Sequence, residues 1–478
     1  MGGWEVATND GKRKNKKGVK MPDAFVILFG LLLLAAIATY IIPAGSFERE
    51  TTDNEITQVI PDSYSDTDMN PASVMDVFLA IQQGLIDTAN LVFMVLIIGG
   101  TVAVFEHTGA VNSGINALID RTKGRKYLLI ISVITLFGIL DTAGVSGNAV
   151  IAFIPIGIIL ARALKLDAIT GIAMIYLGQY VGVATGTFDP VITGIAQQIA
   201  ELPLFSGAAL RGAAFIVFLL VTIVYICLYV KKISKDPAKS MMGSSPFAKY
   251  HDDEQDTDSF GAFTLRHKIV ILTFFVFLGV FLFGVYNLGW SINELSATFL
   301  MMSIAVAVIN KITPNKLVSV FMEGAKGLVY GALVIGMARA IVVILENGYI
   351  LDTIVHYAFG PLEGLPTLLG AQAIFVFNLL FNLLVTSGSG QAVITMPFIV
   401  PLVDMLDITR QTGVLAFKLG DGITNIFTPT SGVLMAVLAV GGVPWNKWFR
   451  FVWPLVLIWA FIGAVFISIA VLINYGPF

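Results

Sequence analysis

The chain has 478 residues, of which 56% are hydrophobic and only 13% charged, with a formal net charge of -3 and a mean hydropathy of +0.84. A soluble globular chain carries about 25% charged residues, so this composition excludes one and specifies a polytopic membrane protein. The near-neutral balance gives no sign of a nucleic-acid partner. Cys227 is the single cysteine, which rules out an intrachain disulfide and a cysteine metal site.

Apolar runs of about 20 residues, enough to cross a bilayer, recur from residue 24 to the end of the chain. The first, 24–44, follows Lys12, Arg13, Lys14, Lys16, Lys17 and Lys20. Its apolar stretch exceeds the core of a signal peptide and 43–46 is a weak cleavage site, so it reads as a retained first span. The basic segment 1–23 belongs in the cytoplasm by the positive-inside rule. The loop that follows carries Glu48, Glu50, Asp53, Glu55, Asp62, Asp66 and Asp68 against one Arg49 and suits the outside. A second span near 84–107 returns to Arg121, Lys123, Arg125 and Lys126. Two apolar stretches in 127–164 flank a Gly144-to-Asn148 turn, as a re-entrant hairpin or as two full spans; both leave the orientation unchanged. Next come a helix over 167–200, interrupted near Gly186-Thr187-Phe188-Asp189-Pro190, and a span over 207–230 that ends at Lys231 and Lys232.

Residues 231–268, with Lys235, Lys239, Lys249 and Arg266, form a cytoplasmic linker. Beyond it lie a span at 269–288, within a reversing segment 269–293, and spans near 295–310 and 328–345. A second hairpin candidate covers 368–404, an interrupted helix 408–440 and a last span 451–474. Lys447 and Arg450 face the cytoplasm and the C-terminus lies outside.

The sequence repeats itself. Gly144-Val145-Ser146-Gly147-Asn148-Ala149 returns as Ser387-Gly388-Ser389-Gly390-Gln391-Ala392, with Ser146, Gly147 and Ala149 matched 243 residues later. Val74, Val77, Phe78, Gly84 and Leu85 match Leu317, Val320, Phe321, Gly327 and Leu328 at the same spacing, and Gly178 matches Gly420 at 242. Repeats over 24–230 and 294–478 each hold four spans and one hairpin, an even number, so the extra span at 269–288 inverts the second copy. Inverted repeats of this kind place a site at mid-membrane between interrupted helices.

Inside hydrocarbon, non-helical backbone survives only where it is buried in protein or lines a wet cavity. This chain supplies it four times, at the two hairpin turns and at the breaks 185–190 and 424–429. Glycine lets the chain reverse and proline removes a donor; freed N–H groups attract anions and freed carbonyls attract cations. Asp189 and Asp421 are the informative charges, because a carboxylate inside a membrane span faces a cavity or a partner. Asp189 follows Thr185 by four residues and Asp421 precedes Asn425 by four, so each pair shares a face where the helix is intact. Lys418 is a local partner for Asp421; Asp189 has none in its vicinity and is the stronger candidate for the site. Asp141 and Arg339 are less well placed by the repeat, and Arg211 and Arg450 read as snorkelling anchors.

Gly144-Val145-Ser146-Gly147 also fits the GxSG pattern of intramembrane serine proteases, which need a histidine beside the serine. His107 lies at a span end, His251 and His267 in the linker and His356 in an outer loop, so the chain is not read as an enzyme. No GxxxxGK[ST] phosphate loop is present.

At Thr39-Tyr40-Ile41-Ile42-Pro43-Ala44-Gly45, Ser389-Gly390-Gln391-Ala392, Gly420-Asp421-Gly422 and Pro429-Thr430-Ser431-Gly432-Val433-Leu434-Met435, the chain resembles the YfcC branch of the DcuC-like carriers, within the ion transporter superfamily. The resemblance covers nearly the whole chain. It implies an all-α polytopic membrane protein with an inverted-topology repeat, two re-entrant hairpins and two broken helices, a homodimer with an elevator-like motion, and a bacterial inner-membrane location. The superfamily's hairpin-tip positions fall on Ser146, Gly147, Asn148, Ser389, Gly390 and Gln391, and its helix-break positions on Asp189, Pro190, Thr428 and Pro429. With Thr185, Thr193, Ser387, Asp421, Asn425 and Thr430 these make up the expected substrate or ion site. No metal or cofactor is expected beyond a coupling Na+ at the hairpin tips or H+.

Relatives in this group carry dicarboxylates, short-chain fatty acids or basic amino acids. Paired acids suit a guanidinium or ammonium group and hairpin N–H groups suit an α-carboxylate, so the expected function is exchange of a basic amino acid such as arginine or ornithine. The alternative is a Na+- or H+-coupled C4-dicarboxylate or short-chain carboxylate carrier, with Asp189 serving the ion. A channel or a receptor-like binding protein is the third reading.

Overall fold

The computed structural model describes residues 24–51, 57–60, 63–110, 113, 125–142, 147, 150–189, 191–243, 245–247, 264–288, 290, 292–362 and 364–476. Ser146, Asn148 and Pro190, the basic segment 1–23 and part of the linker lie outside them. In chain order the helices are α1 (Ala24–Ile41), α2 (Val74–Asp87), α3 (Ala89–His107), α4 (Lys126–Thr142), α5 (Val150–Ala163), α6 (Ala168–Thr185), α7 (Ile192–Ile199), α8 (Ala208–Lys235), α9 (Leu265–Leu288), α10 (Ile292–Asn310), α11 (Pro314–Asn347), α12 (Leu351–Phe359), α13 (Thr367–Phe381), α14 (Gly388–Met405), α15 (Arg410–Asn425), α16 (Gly432–Gly441) and α17 (Trp445–Leu472). Among the described residues six of these, α3, α6, α8, α10, α11 and α17, are long and apolar enough to cross a membrane.

Boundaries follow local chemistry. Ser73 opens α2 with a capping box to Asp76, and Asp167, Ser387, Thr409 and Ser431 each place a side-chain oxygen on a first-turn N–H of α6, α14, α15 and α16. α2 and α3 form a rod interrupted at Thr88, whose hydroxyl bonds Gly84 O at 2.7 Å. Its counterpart α11 is unbroken and begins at Pro314, well before the apolar run that marks it in sequence.

The repeat-related rods α2–α3 and α11 pack against each other in opposite directions. A Cβ on Gly84 would lie 2.3 Å from Gly336 O, one on Gly99 2.9 Å from Gly324 O, and one on Gly100 2.6 Å from the Phe321 ring. Residue numbers rise along one rod as they fall along the other. Antiparallel contact between equivalent helices is the geometry of an inverted repeat, and the glycines let the backbones meet as small residues do in membrane helix pairs.

The hairpins enter from opposite faces. At the first face Lys126 Nζ, opening α4, bonds Ser234 Oγ at 2.9 Å, Arg162, closing α5, lies over the Phe247 ring, and Lys447 Nζ bonds Met242 O at 2.6 Å. At the second face Arg410 pairs with Asp404, at the end of α14, and with Glu201, while Thr409 bonds Tyr475 O. The tips stop at the level of the helix breaks: Gly147 O accepts from Gln179 Nε2 at 2.7 Å, and Gly388 abuts Asp421 and Ile192. Both hairpins are therefore re-entrant.

The loop after α1 is not helical. Four short strands, β1 (Gly45–Ser46), β2 (Arg49–Thr51), β3 (Thr57–Val59) and β4 (Ser65–Asp66), pair antiparallel as β1–β4 and β2–β3. Arg49 bonds Asp352 at 2.9 Å, Phe47 packs on Phe398 and Tyr64 stacks on His356, so this cap joins the first repeat to α12 and α14.

Gly324→Val places two methyl groups against Gly99 O and Ala103, where a Cβ already lies 2.3 Å from the carbonyl oxygen. Overpacking of a tight contact costs about 1–3 kcal/mol. The expected outcome is a lower unfolding temperature in detergent than for Gly360→Val, a position with open space around it.

Candidate functional site

The two broken helices cross antiparallel at the centre of the molecule. Tyr176 Oη donates to Asn425 O at 3.0 Å, a Cβ on Gly422 would lie 2.3 Å from Ala184 Cα, and Lys418 Cε lies 2.6 Å from where a Cβ on Gly186 would be. Equivalent glycines seat each hairpin on its broken helix. A Cβ on Gly178 would lie 2.8 Å from Ile134 O, and one on Gly420 would lie 2.6 Å from Asn378 Cβ.

The first break begins at Gly186, whose φ of +49° is a left-handed conformation that glycine adopts without a Cβ penalty. Thr185 turns back to Val181 O at 2.9 Å and is fully buried. It therefore shares no helix face with Asp189, contrary to the spacing argument, because the helix is not intact between them. Asp189 instead caps the next half-helix. Its Oδ1 accepts from the N–H groups of Val191 (2.9 Å) and Ile192 (3.2 Å), and its Oδ2 from Thr193 N (3.2 Å) and Thr193 Oγ1 (3.4 Å). A carboxylate at a helix N-terminus is favoured by the orphan donors and the dipole.

The carbonyls freed by this break are held by Arg211. Its guanidinium donates to Gly186 O (3.2 Å), Thr187 O (3.3 Å) and Ser206 O (2.8 Å), and the residue is fully buried. A snorkelling anchor at the start of α8 was the expectation; Arg211 points inward because the negative end of α6 lies beside it. Arg450 is exposed, as an anchor would be.

At the second break neutral donors do the same work. The carbonyls of Asn425, Ile426 and Phe427 accept from Tyr176 Oη, Trp448 Nε1 (2.9 Å) and Trp445 Nε1 (2.9 Å). Thr428 and Thr430 share a hydroxyl hydrogen bond at 2.6 Å, and Thr430 Oγ1 donates to Leu383 O at 2.8 Å, tying the break to the second hairpin. Pro429, half-buried between them, carries no N–H to satisfy.

Lys418 joins the two breaks. Its Nζ lies 3.1 Å from Asp189 Oδ2 and 3.7 Å from Asp421 Oδ2, and the three side chains are 0%, 4% and 1% exposed. From sequence, Lys418 pairs with Asp421 and leaves Asp189 alone; in space it is closer to Asp189, which the antiparallel crossing brings over from the other repeat. Asp421 Oδ1 accepts from Asn425 Nδ2 at 3.0 Å, as the intact helix there allows. Asp421 Oδ2 accepts no hydrogen bond and faces Gly388. One ammonium thus serves two carboxylates, and of the two it stands farther from Asp421, beside the second hairpin tip.

At that tip the exposed Ser387 places its Oγ 3.2 Å from Gly390 N, so Ser389 and Gly390 sit half-buried in a helical first turn. Gln391 is turned into the hairpin, with Nε2 2.8 Å from Asn378 Oδ1. At the first tip Gly147 N donates to Asp141 Oδ1 at 3.2 Å, so Asp141 supports the hairpin turn. Sequence reasoning did not single out Tyr176, Gln179, Asn378, Trp445, Trp448 or Asn382, whose Nδ2 donates to Asp421 O at 2.8 Å. The register could have found two of them, since Tyr176 and Gln179 precede Lys418 and Asp421 by the 242 residues that separate Gly178 from Gly420.

Arg211→Met orphans the carbonyls of Gly186 and Thr187, at about 1–3 kcal/mol for each buried group left unsatisfied. A markedly lower unfolding temperature is expected, with partial recovery in Arg211→Lys, whose point charge reaches fewer carbonyls than a planar fork. Unchanged stability in Arg211→Met would contradict this role.

Residues 21–472 match the family model described as DcuC, C4-dicarboxylate anaerobic carrier. An uncharacterized protein of Haemophilus influenzae is 28% identical, covering 96% of this chain and 98% of its own length. A protein of Escherichia coli provisionally named a basic amino acid antiporter, YfcC, is 29% identical, covering 90% of this chain and 92% of its own. Solved structures that align over the chain include MtrF of Neisseria gonorrhoeae, in work on antimetabolite efflux pumps (17% identity, 96% of this chain and 98% of that one, TM-score 0.40), and the YdaH transporter of Alcanivorax borkumensis (17% identity, 95% and 100%, TM-score 0.41). The chain, an all-α multi-pass membrane protein with two re-entrant hairpins and two broken helices, belongs to the DcuC family of carriers.

Proposed function

We propose that this protein is a secondary active carrier of the bacterial inner membrane that exchanges a basic amino acid of the arginine or ornithine type. The observation that carries the reading is Asp421 Oδ2, a buried carboxylate oxygen beside the tip of the second hairpin that accepts no hydrogen bond and has only a long 3.7 Å ion pair to Lys418. A guanidinium or ammonium group satisfies that oxygen, and the half-buried first turn of α14 offers N–H groups to the substrate carboxylate. The provisional name of the Escherichia coli relative agrees with this chemistry.

In the cycle the substrate's cation competes with Lys418 for Asp421 while Asp189 retains Lys418. Asp189 is held by its cap to α7, so it positions the lysine; Asp421 touches cargo. The two hairpins enter from opposite faces, and their tips seal the site alternately as the helices of the two breaks move, in an elevator-like manner, against the rods α2–α3 and α11. The first face, with Lys231, Lys232 and Lys235, is cytoplasmic, which puts the C-terminus outside. The protein works as a homodimer.

A second reading is a C4-dicarboxylate carrier. Lys418, a buried ammonium at the crossing, favours it as a counter-charge for an anion, and the description of the family model agrees.

Proteoliposomes loaded with ornithine and assayed for labelled arginine uptake, with succinate as competitor, separate the two. Basic amino-acid exchange requires uptake that depends on internal ornithine and resists succinate. Uptake or exchange of succinate with no response to arginine contradicts it. Asp421→Asn is expected to lower arginine uptake by at least about tenfold, the loss of one charge-assisted contact of about 1.5–3 kcal/mol, while the protein stays folded.

A further inference from the structure

Three sets of oxygens around the crossing could hold a cation: the carbonyls freed at the first break, those freed at the second, and the carboxylates of Asp189 and Asp421. The chain supplies its own donor to each. Arg211 occupies Gly186 O and Thr187 O; Tyr176, Trp448 and Trp445 occupy Asn425 O, Ile426 O and Phe427 O; Lys418 stands between the carboxylates.

The repeat shows that the lysine is a choice rather than a necessity of the fold. Tyr176 and Lys418 are equivalent positions, 242 residues apart like Gly178 and Gly420, and each reaches across into the other repeat's break. One ends in a neutral hydroxyl on a carbonyl, the other in an ammonium between two acids. Lys418 gets there only because residue 186 is glycine: the space a Cβ would fill there is taken by Lys418 Cε, 2.6 Å away, and Thr193 Oγ1, 2.2 Å away. Its Nζ makes no hydrogen bond of good geometry. It is held by charge, which a spherical monovalent cation could supply equally well.

We propose that Lys418 is a tethered counter-cation that holds the position of a coupling ion between Asp189 and Asp421, so that transport is independent of Na+, and that removing its ammonium opens a binding site for a monovalent cation. The inference rests on the carrier reading above and not on the choice of substrate. Without the ammonium the two buried carboxylates lose the one cation that stands between them, an unfavourable state that a bound cation relieves. The lysine stem lies beside Gly186 and Thr193 and its Nζ between both carboxylates, so its removal vacates volume next to them.

The test compares purified full-length wild type, Lys418→Ala and Asp189→Asn/Lys418→Ala in NaCl and in N-methyl-D-glucamine chloride at equal ionic strength. Thermal unfolding is the first readout because it needs no substrate. The wild type is expected to unfold at the same temperature in both salts. Lys418→Ala is expected to show a saturable upward shift with Na+, reduced in the double variant. No shift in Lys418→Ala with Na+, Li+ or methylammonium overturns the proposal, as does a specific Na+ shift in the wild type. Should Lys418→Ala fail to fold, uptake by wild-type proteoliposomes decides: equal rates with and without Na+ support the proposal, and a tenfold loss on Na+ removal overturns it. Absence of arginine uptake in every salt counts against the substrate reading alone, since the unfolding arm is unaffected by it.

Discussion

Every polar backbone group freed inside hydrocarbon must find a partner within the protein, and this constraint organises the molecule. Two helices that stop at mid-membrane expose carbonyls at one half-helix end and N–H groups at the next. The fold answers by crossing the two breaks antiparallel, so that each lies within reach of side chains from the other. Tyr176 on the first broken helix closes the second break, and Lys418 on the second lies against the first. The close approach of Gly422 to Ala184 and of Gly178 and Gly420 to their hairpins is what makes this reach short enough.

The breaks are alike in geometry and different in charge. The first has Arg211 on its carbonyls and Asp189 on its N–H groups, both fixed by three or more hydrogen bonds. The second has hydroxyl and indole donors on its carbonyls and a serine cap, with Asp421 one turn before the break. Fixed charge therefore sits on one side of the crossing and adaptable charge on the other. Asp421 Oδ2 and the ammonium of Lys418 are the loosely held members of the cluster, and these are the groups a transport cycle can rearrange without unfolding a helix cap. A buried ion cluster of this kind is poor evidence for stability, since desolvation offsets its attraction; its value lies in presenting a loosely paired carboxylate at a place a hairpin tip can uncover.

Much of this architecture was legible in the chain. The register between Ser146-Gly147 and Ser389-Gly390 located both hairpins, and Gly186, Pro190 and Pro429 marked the breaks, because glycine and proline act on the backbone locally. Loop charge and span parity gave the inversion, which the antiparallel contact of Gly99 with Gly324 shows in space. Partners distant in sequence were not legible. Arg211 looks like an interfacial anchor at the start of its helix, and only the folded chain puts it on Gly186 and Thr187. Lys418 looks local to Asp421, three residues away, and only the crossing brings it to Asp189. The strands of the loop after α1 were also hidden, since runs such as Thr57–Val59 are too short to carry a period.

The inversion itself is open to one direct measurement. In a Cys227→Ser background, single cysteines replace Lys126, at the foot of the first hairpin, and Asp404, at the foot of the second, and intact cells are treated with a membrane-impermeant maleimide. An inverted repeat gives labelling at position 404 from outside and at position 126 only after permeabilisation; labelling of both from the same side rules it out.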